Sequence, residues 1–384
     1  LGNVTGSTTF TIAPDGSCTG AACTATVAGP HVVTGNNGGK TATATLTVTA
    51  GALDHIVLSP ATATITSGGS QAYTTTAFDL NNNSLGDVTS STALSIAPDG
   101  SCNNTNHTCS ATVPGSHTVT GSYSGKTATA TLNVTAGALD HIVLSPASAT
   151  ITAGGSQTYT ATGYDLNNNS LGDFTGSTTF TISPDGSCTG ATCTATVPGV
   201  HTVTGNNGGK TATATLNVTA GAFDHIVLSP GSATIMAGGS QTYTATGYDQ
   251  YNNSLGNVTS ATTFSIAPDG SCTGATCTAT VAGPHVVTGN NGGKTATASL
   301  TVNAGSATKF SIAAPASATA GTAFGITVTA QDANNNTVTS YAGIVHFTSS
   351  DGAAVLPANS TLTNGVGNFS ITLKTVGSGT GTVT

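Results

Sequence analysis

Small or apolar side chains alternate with polar ones along most of this chain, which predicts β-strands rather than helices. In residues 210–219, KTATATLNVT, the even-numbered positions from 212 to 218 are Ala, Ala, Leu and Val, and Thr or Asn stands between them. Side chains in a strand point alternately to opposite faces, so this segment predicts a strand with one buried face. Residues 157–162 alternate in the same way. The run Ile142, Val143, Leu144 is continuously apolar, which predicts a more deeply buried strand.

Turn sequences separate these predicted strands at short intervals. In one stretch they are Ser-Pro at 145, Gly-Gly at 154, Asn-Asn-Asn at 167, Pro-Asp-Gly at 184 and Asn-Asn-Gly-Gly at 206. About seven short strands per 84 residues, with no helical period, are typical of an immunoglobulin-like β-sandwich. The pattern therefore predicts an all-β fold.

The segment AGALDHIVLSP marks the start of a long repeat. It occupies residues 50–60, recurs at 136–146, and returns at 220–230 with Phe223 in place of a Leu. A unit of this length can hold its own core, so we expect a string of small domains. The predicted domains are a partial module lacking its first strands at 1–49, modules at 50–135, 136–219 and 220–303, and a divergent module, incomplete at its C-terminal end, at 304–384.

The predicted linkers are very short. Only Ala136, Gly137 and Ala138 separate the last strand of one repeat from the first strand of the next. With strands that rise about 3.3 Å per residue, each module adds roughly 30 Å. The repeats therefore predict tandem sandwiches in a linear rod, well over about 100 Å long.

Charge is scarce and acidic. Charged residues make up 5% of the chain and the net charge is −8. Binding to nucleic acid or to an anionic membrane surface needs clustered Lys and Arg, so neither partner is expected. No apolar run approaches the roughly 18 residues that cross a bilayer, so no membrane insertion is expected in this segment.

The eight cysteines fall in close pairs, one pair in each of the first four repeats. Metal and redox sites need a C-x-x-C spacing or further ligands in register, which these pairs lack, so we predict disulfides and an oxidising, extracytoplasmic compartment. The predicted disulfides are Cys18 with Cys23, Cys102 with Cys109, Cys188 with Cys193, and Cys272 with Cys277.

Specific phrases in the first four repeats resemble the bacterial Ig-like repeats of long cell-surface proteins. These phrases are an apolar strand ending in Ser-Pro, ATIxxGGSQxYT, CTATVxG, HTVTG and GGKTATATL. Residues 304–384, with TAQDANNNTV, resemble a second branch of such repeats. The resemblance implies the fold and an extracellular or cell-surface location, and it does not imply a catalytic residue or a defined ligand. We expect a non-enzymatic structural protein, a stiff fibre or filament, whose partners are copies of itself or neighbouring modules of a longer chain.

An adhesin whose repeats bind a surface glycan or protein is the alternative function. Exposed clusters of aromatic residues would favour it, but the chain has 8 Tyr, 10 Phe and no Trp. Association of copies is favoured by the Thr-rich strands, such as 41–49, which carry no charge or Pro within them to protect an exposed edge.

One loop partly matches a calcium site. Asp79, Asn81, Asn83 and Asp87 place oxygen-bearing side chains at positions one, three, five and nine. Position six is Ser84 rather than Gly, and position twelve lacks the Glu. An Asx turn is therefore the main interpretation, with calcium as the alternative, and no other cofactor or metal is expected.

Two histidine series recur. The adjacent pairs Asp54/His55, Asp140/His141 and Asp224/His225 lie within predicted strands, each with a Ser four residues beyond the His. Because neighbours in a strand point to opposite faces, we expect no hydrogen bond within a pair, and a structural contact rather than catalysis. The second series is expected to be partly buried and hydrogen-bonded, with a metal ligand as the alternative; it comprises His31, His117, His201 and His285.

Overall fold

A computed structural model describes residues 2–377 and 381–383, and the described chain is built almost entirely from β-strands. Its other regular elements are short 3-10 turns, and the described residues contain no α-helix; the turns are Thr5–Ser7, Thr89–Ser91, Thr175–Ser177 and Thr259–Ala261. The predicted all-β, Ig-like tandem fold is confirmed.

Residues 1–49 form five strands in two sheets. The larger sheet has the order β1-β4-β5, and β2 pairs with β3. The strands are β1 Thr9–Ala13, β2 Ser17–Thr19, β3 Ala22–Thr24, β4 Gly29–Asn37 and β5 Lys40–Val48.

Each of the next three repeats contains ten strands in the same order. In 50–135 they are β6 Leu53–Ser59, β7 Thr62–Thr66, β8 Ser70–Ala72, β9 Thr74–Asp79, β10 Ser84–Asp87, β11 Ala93–Ala97, β12 Ser101–Asn103, β13 Thr108–Ser110, β14 Gly115–Tyr123 and β15 Lys126–Thr135. In 136–219 they are β16 His141–Ser145, β17 Ser148–Thr152, β18 Ser156–Thr158, β19 Thr160–Tyr164, β20 Ser170–Asp173, β21 Thr179–Ser183, β22 Ser187–Thr189, β23 Thr192–Thr194, β24 Gly199–Asn207 and β25 Lys210–Thr219. In 220–303 they are β26 Phe223–Ser229, β27 Ser232–Met236, β28 Ser240–Thr242, β29 Thr244–Asp249, β30 Ser254–Asn257, β31 Thr263–Ala267, β32 Ser271–Thr273, β33 Thr276–Thr278, β34 Gly283–Asn291 and β35 Lys294–Asn303.

Three sheets make up each of these repeats. In 136–219, a three-stranded sheet has the order β16-β19-β20, a four-stranded sheet the order β17-β25-β24-β21, and a small sheet the order β18-β23-β22. Strand β17 runs parallel to β25, and the other ladders of this repeat are antiparallel. Ten strands replace the predicted seven partly because short interruptions divide longer segments: the single residue Tyr159, for example, separates β18 from β19.

The core lies between the facing sheets and follows the predicted alternation. Along β25, Ala214, Leu216 and Val218 are buried, and Leu216 has no exposed surface. They pack with residues of the opposite sheet, including Ile142 and Leu144. The half-buried strand predicted for residues 210–219 is therefore confirmed.

The predicted deep burial of the run Ile142, Val143, Leu144 is wrong at its centre. Val143 is 46% exposed, and its counterparts Val57 and Val227 are similarly exposed. The three-stranded sheet covers the core with one face only, so every second side chain of β16 points outward. A continuously apolar run cannot distinguish this arrangement from a strand buried on both faces.

Residues 304–383 differ from the other repeats. The main sheet has the order β36-β37-β41, with two smaller strand pairs beside it. The strands are β36 Lys309–Ala313, β37 Ala323–Gln331, β38 Ile344–Val345, β39 Phe347–Ser349, β40 Ser360–Thr361, β41 Val366–Thr372 and β42 Gly381–Val383.

All eight cysteines form the predicted pairs. In each case the two cysteines stand directly opposite each other on neighbouring antiparallel strands, as in Cys188 and Cys193 of β22 and β23. The inner cysteine of three pairs is fully buried; these residues are Cys109, Cys193 and Cys277. The hairpins are thus fastened to the core of their repeats.

Candidate functional site: the contacts between repeats

A buried aspartate lies at every contact between successive repeats. In the contact between the first two, Asp79 Oδ1 accepts hydrogen bonds from the backbone N–H groups of Asn81 and Asn83 at 2.9 and 2.8 Å. Its Oδ2 accepts one from Gly51 N, in the linker, at 2.7 Å and one from Asn83 Nδ2 at 2.9 Å. Asp79 is 2% exposed. One carboxylate therefore ties the linker to the loop after β9.

The same arrangement recurs at the other three contacts. The equivalent aspartates are at most 1% exposed and bind the linker glycine at 2.7–2.9 Å; they are Asp165 with Gly137, Asp249 with Gly221, and Asp332 with Gly305. The loop also needs a residue at positive φ, which asparagine tolerates better than most residues. The residues at that position are Asn82, Asn168, Asn252 and Asn335, with φ from 62 to 69°.

The asparagine four residues after each aspartate reaches the preceding repeat. Asn83 Nδ2 donates to Thr26 O at 2.7 Å, and Ala28 N donates to Asn83 Oδ1 at 2.7 Å. One side-chain amide thus pairs with two backbone groups, much as a neighbouring strand would. Asn336 makes the same two contacts with Thr280 O and Ala282 N.

At the two central contacts the asparagine binds the preceding repeat in a modified way. Asn169 Nδ2 donates to Thr112 O at 2.8 Å, and Asn253 Nδ2 donates to Thr196 O at 2.7 Å. Proline stands at positions 114 and 198, where Ala28 and Ala282 stand in the outer pair, and proline has no N–H to donate. At the contact between 50–135 and 136–219, Ser67 Oγ adds a different contact by accepting a hydrogen bond from Asn169 Nδ2 at 2.9 Å.

Hydrogen bonding keeps these carboxylates ionised. The Asn83 amide, followed by the Gly51 N–H, lowers the pKa of Asp79 to about 2. At Asp165, Asp249 and Asp332, burial favours the neutral acid, but the same set of N–H donors outweighs it and holds each pKa at about 2.

The loop of the calcium alternative is this same Asx turn. N–H donors surround the Asp79 carboxylate, so a Ca²⁺ ion there would have to displace the bonds to Gly51, Asn81 and Asn83. Asp87 accepts a hydrogen bond from Thr89 N at 2.7 Å instead of joining Asp79. Among the described residues, no group of three or more His, Cys, Asp or Glu side chains is placed to hold a metal ion. The geometry supports the main interpretation of the sequence, and calcium at this loop stays a prediction.

The expectation that Asp and His of one surface pair do not hydrogen-bond is wrong. His55 Nδ1 lies 3.2 Å from Asp54 Oδ2, and the other two pairs have 3.1 Å. The ladder shifts register between Leu53 and His55, so Asp54 leaves the regular alternation. The shift repeats at 223–225, and Asp140 lies just before β16.

These histidines stack on aromatic rings and do not contact the serine four residues further along the chain. Each His ring lies 5.4 Å from the ring of a cross-strand partner, with planes 12–14° apart; the pairs are His55 with Phe78, His141 with Tyr164, and His225 with Tyr248. Ser59, four residues beyond His55, is roughly 13 Å away along the strand. The pair and the serine do not form a triad.

The second histidine series is more buried than expected and has a partner that sequence reasoning missed. The four rings are 1–3% exposed. His117 Nε2 lies 2.6 Å from Asp99 Oδ1 and its Nδ1 lies 3.3 Å from Gly115 O. The Asp belongs to the Pro-Asp-Gly turn, and the other pairs are Asp15 with His31, Asp185 with His201, and Asp269 with His285. The recurrence of both residues, 16 residues apart in three repeats and 18 apart in 50–135, could have indicated the contact.

Both ring nitrogens of His31 face acceptor oxygens, those of Asp15 and Gly29, an arrangement that suits the protonated ring. The hydrogen bond to Asp15 raises the pKa of His31, and the bond from His31 lowers that of Asp15 to about 2. The Asp–His contacts thus act inside the repeats, where they join the turn after β1, or its counterpart, to the next long strand.

No helix within the described residues has the length and apolar character needed to cross a membrane. No protein-family model matches the chain. A curated protein, "Ice-binding protein 1" of Shewanella frigidimarina, is 27% identical over 247 residues. That match covers 62% of this chain, and the chain spans only 27% of the relative's length.

Several solved structures of repeated β-domains resemble the chain. The Escherichia coli adhesin FdeC has 21% identity and a TM-score of 0.33, over 62% of this chain and 91% of that one. Domains 1–6 of the surface-layer protein SbsC have 19% identity and a TM-score of 0.25, over 89% and 53%. The cadherin domains 1–5 of protocadherin gamma B2 have 10% identity and a TM-score of 0.37, over 82% and 71%. At such low values these likenesses assign no function to this chain.

Proposed function

We propose that this chain is a non-enzymatic extracellular structural protein, a stiff fibre of tandem bacterial Ig-like modules at a cell surface. The modules are residues 50–135, 136–219 and 220–303, flanked by 1–49 and by the divergent 304–384. In this role each repeat adds to the length of the fibre. The observation that carries the proposal is the hydrogen-bonded Asp and Asn pair at every contact between repeats.

These contacts restrict bending because each one fixes three segments together. The carboxylate of Asp249 holds Gly221 of the linker, and Asn253 binds both that carboxylate and Thr196 of the preceding repeat. Bending at the linker would break hydrogen bonds to an ionised carboxylate with almost no solvent contact, and such charge-assisted bonds are stronger than neutral ones. Four such contacts in sequence favour one extended arrangement.

The paired cysteines support the extracellular location. Disulfides persist in oxidising compartments and are rare in reducing ones. With few charged groups, the chain depends on Thr, Ser and Asn for its polar surface, and it lacks the basic clusters that would recruit nucleic acid. The name of the Shewanella frigidimarina relative and the likeness to adhesin and surface-layer domains are compatible with this location.

Small-angle scattering tests the shape directly. A compact globule of 384 residues has a radius of gyration of about 21 Å, whereas a rod of roughly 140 Å has about twice that value. We expect the larger value, together with straight particles in electron micrographs. A compact particle, or one whose arms point in many directions, would refute the proposal.

Matched variants locate the stiffness. Asn253→Ala removes the amide that joins two repeats, and we expect a wider distribution of angles at that contact alone. Asn257→Ala is the control, because Asn257 lies on an exposed strand and its side chain accepts a hydrogen bond from Thr259 N of its own repeat. If both variants bend equally, the amide contacts do not set the stiffness.

The adhesin alternative has one observation in its favour. Half-buried, stacked ring pairs of His141 with Tyr164 and their counterparts present a similar surface in three repeats. A glycan could pack against such rings and bind the adjacent Asp140. Binding to immobilised glycans, and to ice because of the relative's name, should then be weakened in His141→Ala/Tyr164→Ala, which removes one of the three ring pairs. Unchanged binding in that variant would exclude this surface.

A further inference from the structure

The four repeats with disulfides differ at one edge of their larger sheet. In 50–135 this edge is β11, and Asn104 covers it. Leu94 N donates to Asn104 Oδ1 at 2.6 Å, and Asn104 Nδ2 approaches Leu94 O at 3.3 Å. One side-chain amide thus binds both outward backbone groups of Leu94, as the peptide group of an added strand would.

The other three repeats lack this cover. Their cysteine hairpins are two residues shorter, and Gly stands where the longer hairpin carries Asn104 and its neighbours. Phe10, Phe180 and Phe264 occupy the position of Leu94 in β1, β21 and β31. Across residues 2–377, no side-chain amide binds the backbone of these three phenylalanines.

The open edges also lack the usual protection against strand pairing. Their sequences are TFTIA, TFTIS and TFSIA, with no charge, no Pro and no Gly. Natural proteins protect such edges with Lys, Pro or a covering segment. Thr179, Thr181 and Ser183 are exposed, so no segment covers the solvent-facing side of this edge strand.

We infer that these edges are docking sites for a second copy of this chain, which adds its equivalent strand in antiparallel orientation. Phe180 and Ile182 would exchange their outward N–H and C=O groups with Ile182 and Phe180 of the copy. Thr181 would then face Thr181 of the copy, and such Thr pairs stabilise antiparallel ladders. A neutral, self-complementary edge favours a second copy over a charged partner.

Repetition multiplies these sites. An edge recurs in β1, β21 and β31, so one chain carries three docking edges and can join more than one copy. The inference adds lateral association to the proposed fibre, and a single pairing at one edge is independent of that proposal. A single pairing needs no stiffness.

Sedimentation of the full chain tests the inference. We expect concentration-dependent association of the wild type below about 0.1 mM. In Thr11→Lys/Thr181→Lys/Ser265→Lys, lysines would face lysines across each pairing, so the association constant should fall roughly tenfold or more. Ser95→Lys is the matched control, since it changes the same position on the edge that Asn104 covers, and it should associate like the wild type.

A second variant works in the opposite direction. Asn104→Ala uncovers Leu94 and should strengthen association. A monomeric wild type up to about 0.1 mM, or equal association of the wild type and the triple lysine variant, would overturn the inference. Long particles of a monomeric chain in micrographs would leave the fibre proposal intact while this one fails.

Discussion

Replacement of Leu216 by Ala tests whether the sandwich of residues 136–219 is closed by its first strands. Leu216 has no exposed surface and stands in β25 between His201 of β24 and Ala149 of the parallel strand β17. Leu46 occupies the same position in the nearly identical strand β5, but it is 37% exposed. The same substitution therefore removes the same atoms from two different environments.

The expected magnitudes differ strongly. Truncation of a fully buried Leu to Ala costs about 2–5 kcal/mol, because the lost transfer energy adds to the energy of the cavity. A repeat of about 84 residues has a total stability of roughly 4–13 kcal/mol. Leu216→Ala should thus lower the melting temperature of its repeat by about 10–30 °C. Leu46→Ala should cost less than about 1 kcal/mol, since much of its side chain already contacts water.

Differential scanning calorimetry of the full chain is the assay, because the unchanged repeats serve as internal references. One transition should move in Leu216→Ala while the transitions of the other repeats stay in place. Hydrogen exchange assigns the shifted transition to residues 136–219. A shift below about 3 °C, or an equal shift in Leu46→Ala, would refute the closed core and the packing derived for β25.

Three further outcomes follow from the structure. Replacement of Cys188 and Cys193 by Ser should destabilise that repeat by about 2 kcal/mol, measured by calorimetry, because a short cross-link no longer restricts the unfolded chain; an unchanged melting temperature would contradict this. The pKa of His31 is raised above its usual 6.5, so its contribution to stability is complete below pH 6.5 and is lost as the pH rises through the higher folded value. NMR titration should show a lower pKa for His31 in Asp15→Asn. Because the pKa of Asp79 is lowered from 3.8 to about 2, its contact with the linker persists above pH 4 and is lost as the pH falls towards 2. Scattering at pH 7, 4 and 2 should therefore show bending only at pH 2.

Sequence patterns were sufficient for the local structure. The alternation in 210–219 predicted the buried face of β25, and the turn residues predicted where strands end. Both features depend on near neighbours, because the backbone of a strand directs successive side chains to opposite sides. The pairing of the cysteines also followed from their close spacing.

Contacts between distant segments required the tertiary structure. The alternation could not show that Val143 faces outward, because a sheet covered on one face and a sheet covered on both give the same short apolar run. It also missed the register shift beside Asp54, which lets adjacent Asp and His side chains meet. Such features depend on which strand the chain places alongside.

The sequence by itself determined an all-β chain of repeated, disulfide-fastened units, since alternation, turns and cysteine spacing are local properties. Only the tertiary structure decided that Asn83 binds the preceding repeat and that Asn104 covers the edge at Leu94. The physical reason is that an amide side chain bonds to whatever backbone lies within about 3 Å. That neighbour is set by how separate segments fold together, and Asn is too common in this chain for its type alone to identify the position.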